Sequence, residues 1–272
     1  MAVRSDSSRG SVTGDPCHWS YYGDTNPLGW GTLVQNGGTL CFPLCGDRDT
    51  SQQSPIDIRT DAVIADPTLP KLGFSYSSTT VNVTDGHNNF TAHYPIGSRN
   101  TLIYKGNTFN LVQFHFHHPA EHQANGVTMG EIELHLVHSA GIPPQTQALV
   151  VTVFLAIPSG NPGDGKILAE LVDNVNKSMN VDASKLLPAA HPYLVYAGSL
   201  TTPPCTESVT WLLLNTAMPV HMDNVQKFKA ALETKYRYGY NARGVQRLNG
   251  RTVYSSPGVA GPDGFAASLE RP

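Results

Sequence analysis

Three histidines with strand-like spacing are the residues of this chain best suited to bind a metal ion. His115 and His117 alternate with phenylalanines, and His135 lies in a second alternating segment, 132–138. Because residues i and i+2 of a strand point to the same face, His115 and His117 project together, and His135 can join them from a neighbouring strand. A lone histidine in a strand is usually an ordinary hydrogen-bonded residue. Three neutral imidazoles that leave a fourth position open are instead typical of a catalytic zinc site, because a structural zinc has four protein ligands.

The elements that must position these histidines are mostly strands. Short runs with β-like patterns are separated by Gly, Asn, Pro and Asp turns; they are 74–77, 101–104, 111–117, 132–138 and 149–157. Two segments have helical periodicity, Lys166–Met179, with Asp164 as a candidate N-cap, and Asp223–Leu232. The pattern predicts a mainly β (α+β) domain over 17–256, with a disordered tail at 1–16 and a C-terminal tail at 257–272.

Composition excludes several classes of protein. The 272 residues are 40% hydrophobic and 14% charged, with a net charge of −3, so the chain is expected to fold and has no basic surface for nucleic acid or anionic membrane. The longest apolar run, Ala148 to Ile157, is too short to span a bilayer and is typical of a buried strand. No apolar leader follows Met1, which is expected of a mature form with an added Met or of a cytosolic protein.

Four cysteines, at 17, 41, 45 and 205, form no paired CxxC motif, so a cysteine-rich zinc site is not expected. An even count of cysteines, together with Asn-x-Ser/Thr sequons at Asn82, Asn89 and Asn176, is typical of secreted or lumenal proteins. Four cysteines allow three pairings, and the spacing alone leaves all three open.

Motifs along most of the chain, from His18 to about Arg251, resemble the α class of carbonic anhydrases. Proline at 119 and the short loop that ends at His122, with His118 in place of an aromatic residue, resemble the algal, plant and bacterial branches. The resemblance implies a single domain with a central twisted, mostly antiparallel sheet of about ten strands and short peripheral helices. The motifs are Gln53–Ile58, Gly86-His87, Gln113–His117, Glu121-His122, Glu133–His138, Gly198–Pro204, Val209–Trp211 and Asn241–Arg243.

The resemblance implies zinc-dependent, reversible hydration of carbon dioxide to bicarbonate and a proton, by zinc-hydroxide attack. His115, His117 and His135 match the Zn²⁺ ligands, and simple anions and sulfonamides are the inhibitors it implies. Gln113 and Glu133 share strand faces with ligand histidines and are expected to orient them.

Thr201 and Glu121 match the two residues that orient the nucleophile in this family. In this arrangement Thr201 accepts a hydrogen bond from the nucleophile and donates its own hydrogen to Glu121. The remaining histidines of the motifs, at 118, 122 and 138, are predicted to be structural, with His122 hydrogen-bonded to Glu133.

His87 matches the family's proton shuttle, and an imidazole that titrates near neutral pH suits this task. The following Asn88-Asn89-Phe90 departs from the common pattern by an inserted residue, so His93 is the second choice for the shuttle. Tyr21 matches a residue that orders water in the pocket, and Tyr22 is its alternative.

The resemblance also implies an apolar recess for carbon dioxide and a pair of disulfides. The pocket residues are Val137, Val150, Leu200, Thr202, Val209 and Trp211. The implied disulfides are Cys45–Cys205 and Cys17–Cys41, although Cys41 could replace Cys45 as the partner of Cys205. Disulfides would place the chain in a secreted, extracellular, lumenal or periplasmic compartment. The oligomeric state stays open.

Two alternatives compete with this interpretation. Cupin oxygenases also have an HxH motif followed by a glutamate, as at Glu121, and would bind iron or manganese; their second motif is missing around His135. A non-catalytic binding or storage protein on the same fold is the other alternative. Such relatives usually lose a zinc-ligand histidine, whereas all three are present here.

Overall fold

The computed structural model describes residues 17–46, 49–86, 88–141, 147–159 and 164–259. Strands account for most of the regular structure within these ranges. They are β1 Asp57–Ile58, β2 Ile64–Ala65, β3 Gly73–Ser75, β4 Ser78–Gly86, β5 Asn89–His93, β6 Thr101–Tyr104, β7 Asn107–His117, β8 Gln123–Ala124, β9 Val127–Thr128, β10 Ile132–Ser139, β11 Ala148–Ala156, β12 Ser178–Asp182, β13 Tyr193–Ser199, β14 Glu207–Leu214, β15 Met218–Pro219 and β16 Tyr254–Ser255.

One large sheet organises the domain. Ten strands follow one another in the order β12-β4-β5-β7-β10-β11-β14-β13-β16-β2, and β3, β6 and β15 attach to this path. Neighbours on the path are antiparallel except β11 with β14 and β16 with β2. The prediction of a mainly β domain with a mostly antiparallel sheet of about ten strands is therefore confirmed. A small second sheet joins β1, β8 and β9.

The long strand β7 shows how the sequence pattern selects the two faces of the sheet. Phe114 and Phe116 are completely buried in the largest apolar cluster of the core. His115 and His117 alternate with them and therefore point to the opposite face. This alternation directs both histidines away from the apolar core.

Two α-helices lie among the described residues. The first, α1 (Lys166–Asp173), is shorter than the predicted Lys166–Met179. The chain turns at Asn176, whose φ is 61°, and then forms β12 against β4, because strand pairing overrides the local helical period. The N-cap of α1 is Gly165, which has a left-handed conformation and makes no side-chain hydrogen bond to the helix. The prediction of Asp164 as N-cap is therefore wrong.

The second helix, α2 (Met222–Tyr236), covers the predicted Asp223–Leu232 and extends beyond it. It buries Val225, Phe228 and Leu232 on one face. In the described part of the chain, neither helix is long and apolar enough to cross a membrane. The division into a tail at 1–16, a domain at 17–256 and a tail at 257–272 stays a prediction, because 1–16 and 260–272 lie outside the described residues.

Candidate metal centre

The three histidines singled out in the sequence come together on one face of the sheet. His115 on β7 lies directly opposite His135 on β10, and His117 is two residues further along β7. The ring centroids are 5.0 Å apart for His115 and His117, 5.2 Å for His115 and His135, and 4.6 Å for His117 and His135. One nitrogen from each ring lies within 4.8 Å of the others. This set, called the tripod below, can hold a metal ion.

Each ring of the tripod is fixed through the nitrogen that faces away from the others. His115 Nδ1 lies 2.7 Å from Gln113 Oε1, as predicted from their shared strand face. His117 Nδ1 donates to the backbone carbonyl of Asn241 at 2.6 Å. His117 Nε2 is buried and has no hydrogen-bond partner in the described structure. A buried imidazole nitrogen without a partner is costly, and a metal ion would satisfy it.

Glu133 orients the third ring and links it to a second histidine. Its Oε1 lies 2.6 Å from His135 Nε2 and 2.6 Å from His122 Nδ1, and its Oε2 accepts the backbone N–H groups of Glu121 and His122. His122 in turn contacts the Tyr196 hydroxyl through Nε2 at 2.6 Å. His122, Glu133 and His135 also have metal-ligand spacing, but hydrogen bonds among the three already explain their proximity.

Burial keeps the tripod neutral. It lowers the pKa of His115 well below the ordinary value, that of His117 to about 3, and that of His135 against the opposing effect of Glu133. Burial acts to raise the pKa of Glu133, but its interactions with His122 and His135 hold that pKa well below the usual value. Neutral imidazoles oriented by outer hydrogen bonds are the donors that Zn²⁺ prefers.

Glu121 lies beside the tripod and is completely enclosed. Its Oε1 accepts the backbone N–H of Arg243 at 2.8 Å and is 3.4 Å from His117 Nδ1. Burial and the charge of Glu133 raise the pKa of Glu121, whereas Arg243 and the side chain of Thr201 act to lower it. Thr201 is thus next to the carboxylate, although Glu121 Oε2 forms no hydrogen bond of standard geometry with a described residue.

Three of the predicted pocket residues are aligned across neighbouring strands beside His135. Val137 lies opposite Val150, and Val150 opposite Trp211. The Trp211 ring is 4.9 Å from that of His135. Leu200 and Val209 belong to the same apolar cluster, and Thr202, half-buried, adjoins Thr201. The apolar side chains belong to one cluster, which reaches the tripod at His135.

The structure distinguishes the two candidate tyrosines but does not describe the predicted shuttle. Tyr21 is 3% exposed, and the charge of Glu121 contributes, after burial, to raising its pKa; Tyr22 is 67% exposed. This arrangement favours Tyr21. His87 lies outside the described residues. The second choice, His93, is exposed, lies opposite Gln113 and contacts the Thr84 hydroxyl through Nε2 at 2.9 Å.

Asn88, the first residue of the segment that departs from the family pattern, is anchored in the structure. Asn88 is buried with φ of 61°. Its Nδ2 donates to the backbone carbonyl of Trp19 at 3.1 Å, and its Oδ1 accepts from the Tyr238 hydroxyl. The departure from the family pattern is therefore accommodated by a buried turn.

Two residues of the site could not be assigned a role from the sequence. Asn241 supplies the carbonyl for His117, and its side chain bridges the carbonyl of Phe116 and the N–H of His118. Arg243 donates to Gln53 Oε1 and to the backbone carbonyls of Ser54 and Cys45. Their partners, most of them backbone groups, lie far away in sequence. A residue pattern carries no signal for such contacts.

Both implied disulfides are present. Cys45–Cys205 joins positions 160 residues apart, and Cys17–Cys41 closes a shorter segment of 24. The alternative partner for Cys205, Cys41, is therefore excluded. Gln53 Nε2 also donates to the Cys205 carbonyl at 3.0 Å. The segment that carries Thr201 is thereby tied to the segments around Cys45 and Gln53.

Comparisons with known proteins agree with this geometry. The model of the eukaryotic-type carbonic anhydrase family matches residues 37–257. A carbonic anhydrase of Neisseria gonorrhoeae is 35% identical over 243 residues, which cover 88% of each chain. The α-carbonic anhydrase of Thermovibrio ammonificans, solved with sulfanilamide, has a TM-score of 0.73 at 29% identity, covering 87% of this chain and 98% of its own. Dioscorin complexed with ascorbate has a TM-score of 0.74 at 27% identity, and the match covers 88% of this chain and 97% of the dioscorin chain.

Proposed function

The chain belongs to the eukaryotic-type carbonic anhydrase family, and from this premise we propose that it hydrates carbon dioxide reversibly to bicarbonate and a proton, with Zn²⁺ held by His115, His117 and His135. The observation that carries the proposal is the tripod itself. It has three neutral rings, of which His117 and His135 are buried and His115 is half-buried. Each ring is oriented from outside, and His117 Nε2 is buried without a hydrogen-bond partner among the described residues. The cupin alternative is excluded by the family and the fold.

The metal and the protein contribute different parts of the chemistry. A bound zinc ion supplies a nucleophile near neutral pH by acidifying water. Gln113, Glu133 and the Asn241 carbonyl hold the proton on the outer nitrogen of each ring, so that the inner nitrogens keep their lone pairs. The positive charge of a cation at the tripod would also favour the ionised form of Glu121.

Thr201 and Glu121 select what binds at the tripod. If the Thr201 hydroxyl donates its hydrogen to the Glu121 carboxylate, its oxygen can only accept a hydrogen bond. Ligands with a hydrogen to donate are then preferred, and the nucleophile is turned toward the substrate. An ionised sulfonamide nitrogen, which retains one hydrogen, meets the same requirement. Sulfonamides and simple anions are therefore expected to inhibit.

The apolar wall offers carbon dioxide a place without competing hydrogen bonds. Val137, Val150 and Trp211 are aligned in register beside the tripod. A small apolar molecule needs only such a recess, since it has no strong hydrogen-bonding groups. Water is poorly held there, which leaves the site open to the substrate.

The proton must leave through a group that exchanges with solvent, and we assign this task to His87. Replacement of His87 with Ala should slow turnover in weak buffer, and a small imidazole buffer should restore part of it. If the buffer dependence is unchanged, His93 is the next residue to replace. Attack on carbon dioxide itself should change less, because His87 is not a predicted ligand.

The compartment proposed for the enzyme is extracellular, lumenal or periplasmic. Two disulfides among the described residues, with no free cysteine there, are typical of proteins that fold in an oxidising environment. The glycosylation that the sequons predict belongs to the same proposal.

Metal analysis combined with a stopped-flow carbon dioxide hydration assay tests the function. We expect zinc bound at the tripod in the active protein, and loss of both zinc and activity in His117→Ala. His191→Ala, which changes a histidine packed against Phe74, is the matched control and should retain both. The proposal fails if His117→Ala keeps zinc and full activity. A metal-free, inactive wild type would instead favour the binding or storage role.

A further inference from the structure

The three Asn-x-Ser/Thr sequons have different environments in the folded chain. Asn82, on β4, and Asn176, in the turn before β12, are exposed. Asn89, on β5, is 6% exposed. We propose that Asn82 and Asn176, but not Asn89, carry N-linked glycans when the chain passes through a secretory pathway that attaches them.

Asn82 points to the open face of the sheet. Its neighbours Val81 and Val83 are buried on the other face, as the alternation of a strand requires. The Ser178 hydroxyl donates to Asn82 Oδ1 at 2.8 Å, and no described residue is hydrogen-bonded to the amide nitrogen. The atom that would bear the sugar is therefore unoccupied by protein.

The position of Asn82 in the sheet also indicates where the glycan would lie. Asn82 is opposite His93 on β5, and His93 is opposite Gln113 on β7. Two strand spacings separate Asn82 from Gln113, or about 10 Å. A glycan on Asn82 would stand on the face of the sheet that bears the tripod, beside the strands that hold it.

Asn176 occupies a tight turn at the edge of the same sheet. Its φ is 61°, and its backbone N–H donates to the Val83 carbonyl at 2.9 Å. Its side chain interacts with Asp85 and contributes, after the larger effect of Lys235, to lowering the pKa of that carboxyl. A glycosylated amide keeps one N–H, so the same interaction can persist beside the sugar.

Asn89 lies at the start of β5, where its own burial and that of its neighbour leave no room for a sugar. Its Oδ1 accepts the backbone N–H of Phe90 at 2.8 Å, and its backbone carbonyl accepts a hydrogen bond from the Tyr236 hydroxyl at 2.9 Å. Phe90 is buried at 3% exposure. A hydrophilic glycan at this point would have to expel the start of β5 from the domain, so a chain modified there would not reach the folded state.

The modification is a transfer to the side-chain amide. The amide nitrogen forms a bond to the anomeric carbon of an oligosaccharide carried on a lipid diphosphate, and the bond from that carbon to the diphosphate oxygen breaks. The amide loses one proton, and the lipid diphosphate leaves with the electron pair. The donor and the transferase belong to the secretory pathway, and this chain supplies only the acceptor nitrogen.

Mass spectrometry of the full chain, secreted from a eukaryotic cell, tests the proposal without using enzyme activity. We expect two glycans in the intact protein. Asn82→Gln and Asn176→Gln should each remove one, and Asn89→Gln should remove none. Thr84→Ala and Ser178→Ala keep each asparagine but destroy its sequon, so each should also remove one glycan.

Peptide mapping after enzymatic deglycosylation locates the sugars directly, because the glycosylated asparagine is converted to aspartate. An unmodified Asn82 or an unmodified Asn176 overturns the proposal for that position. A glycan on Asn89 in folded, secreted protein overturns the argument from burial. Because none of these readouts depends on zinc or on carbon dioxide, their failure is distinct from failure of the proposed function.

Discussion

Replacing Glu133 with Gln should weaken zinc binding while the side chain keeps its shape. Glu133 is completely buried, and its two oxygens make four contacts of 2.6–2.8 Å, with His122 Nδ1, with His135 Nε2 and with the backbone N–H groups of Glu121 and His122. The carbonyl oxygen of the new amide can still accept the two backbone N–H groups. Its NH₂ group then faces two ring nitrogens that donate in the native protein.

The cost can be worked from these contacts. A hydrogen bond to a charged group contributes about 1.5–3 kcal/mol, so the two histidine contacts together represent about 3–6 kcal/mol. Part is recovered if the rings change tautomer and accept from the amide. For His135 that change moves the proton to Nδ1, the nitrogen left for the metal. The ring then cannot both satisfy the amide and bind zinc, and we expect the 10- to 100-fold loss of affinity, about 1.4–2.7 kcal/mol, typical of such outer partners.

The assay is competition for zinc between metal-free protein and a chelator of known affinity, at fixed pH. Glu170→Gln, which changes an exposed glutamate on α1, is the matched control and should bind zinc like the wild type. Circular dichroism checks that both variants are folded. If Glu133→Gln folds and binds zinc as tightly as the wild type, the tautomer argument is refuted, and with it the role of Glu133 in orienting His135.

The remaining predictions concern pH, disulfides and inhibitors. Burial lowers the pKa of His138 from 6.5 to about 4. The stability that this histidine contributes above pH 6.5, about 3 kcal/mol, is therefore lost as the pH falls toward 4. The free energy of unfolding in urea should depend less steeply on pH in His138→Gln than in the wild type, and equal slopes would contradict this. Removing the Cys45–Cys205 disulfide should cost up to about 5 kcal/mol and removing Cys17–Cys41 up to about 3 kcal/mol, because the longer loop restricts the unfolded chain more; denaturant titration that reverses this order would count against it. Thr201→Ala should weaken carbon dioxide hydration, in a stopped-flow assay, and sulfonamide binding, in a calorimetric assay, each by about 10- to 100-fold. The control variant Thr206→Ala, which changes an exposed threonine, should stay at the wild-type level. Full activity in Thr201→Ala would show that Thr201 does not orient the nucleophile.

Much of the fold could be predicted because local pattern and family resemblance agree with the tertiary structure. The runs at 101–104 and 132–138 are strands almost to the residue, since alternation of polar and apolar side chains depends only on the two faces of a sheet. The helical period of 166–179 failed beyond Asp173, because residues 178–182 pair with β4. Local period cannot weigh a helix against a partner strand about 100 residues away.

The candidate site, like the fold, could be predicted only in part from the sequence. The HxH spacing placed His115 and His117 on one face, and the same rule placed Gln113 with them. No spacing could show that His117 donates to the carbonyl of Asn241, since any residue type has a carbonyl and only its position matters.

The sequence by itself determined which residues could do chemistry and which face of a strand they share, because side-chain type and the two-residue period are written in it. Tertiary structure alone decided which histidine nitrogen is held and which is left for a metal, that Tyr21 is buried while Tyr22 is exposed, and that Asn82 is open to solvent while Asn89 is not. These properties depend on strand register and on backbone groups brought together from distant parts of the chain, and register is settled only when the whole sheet packs.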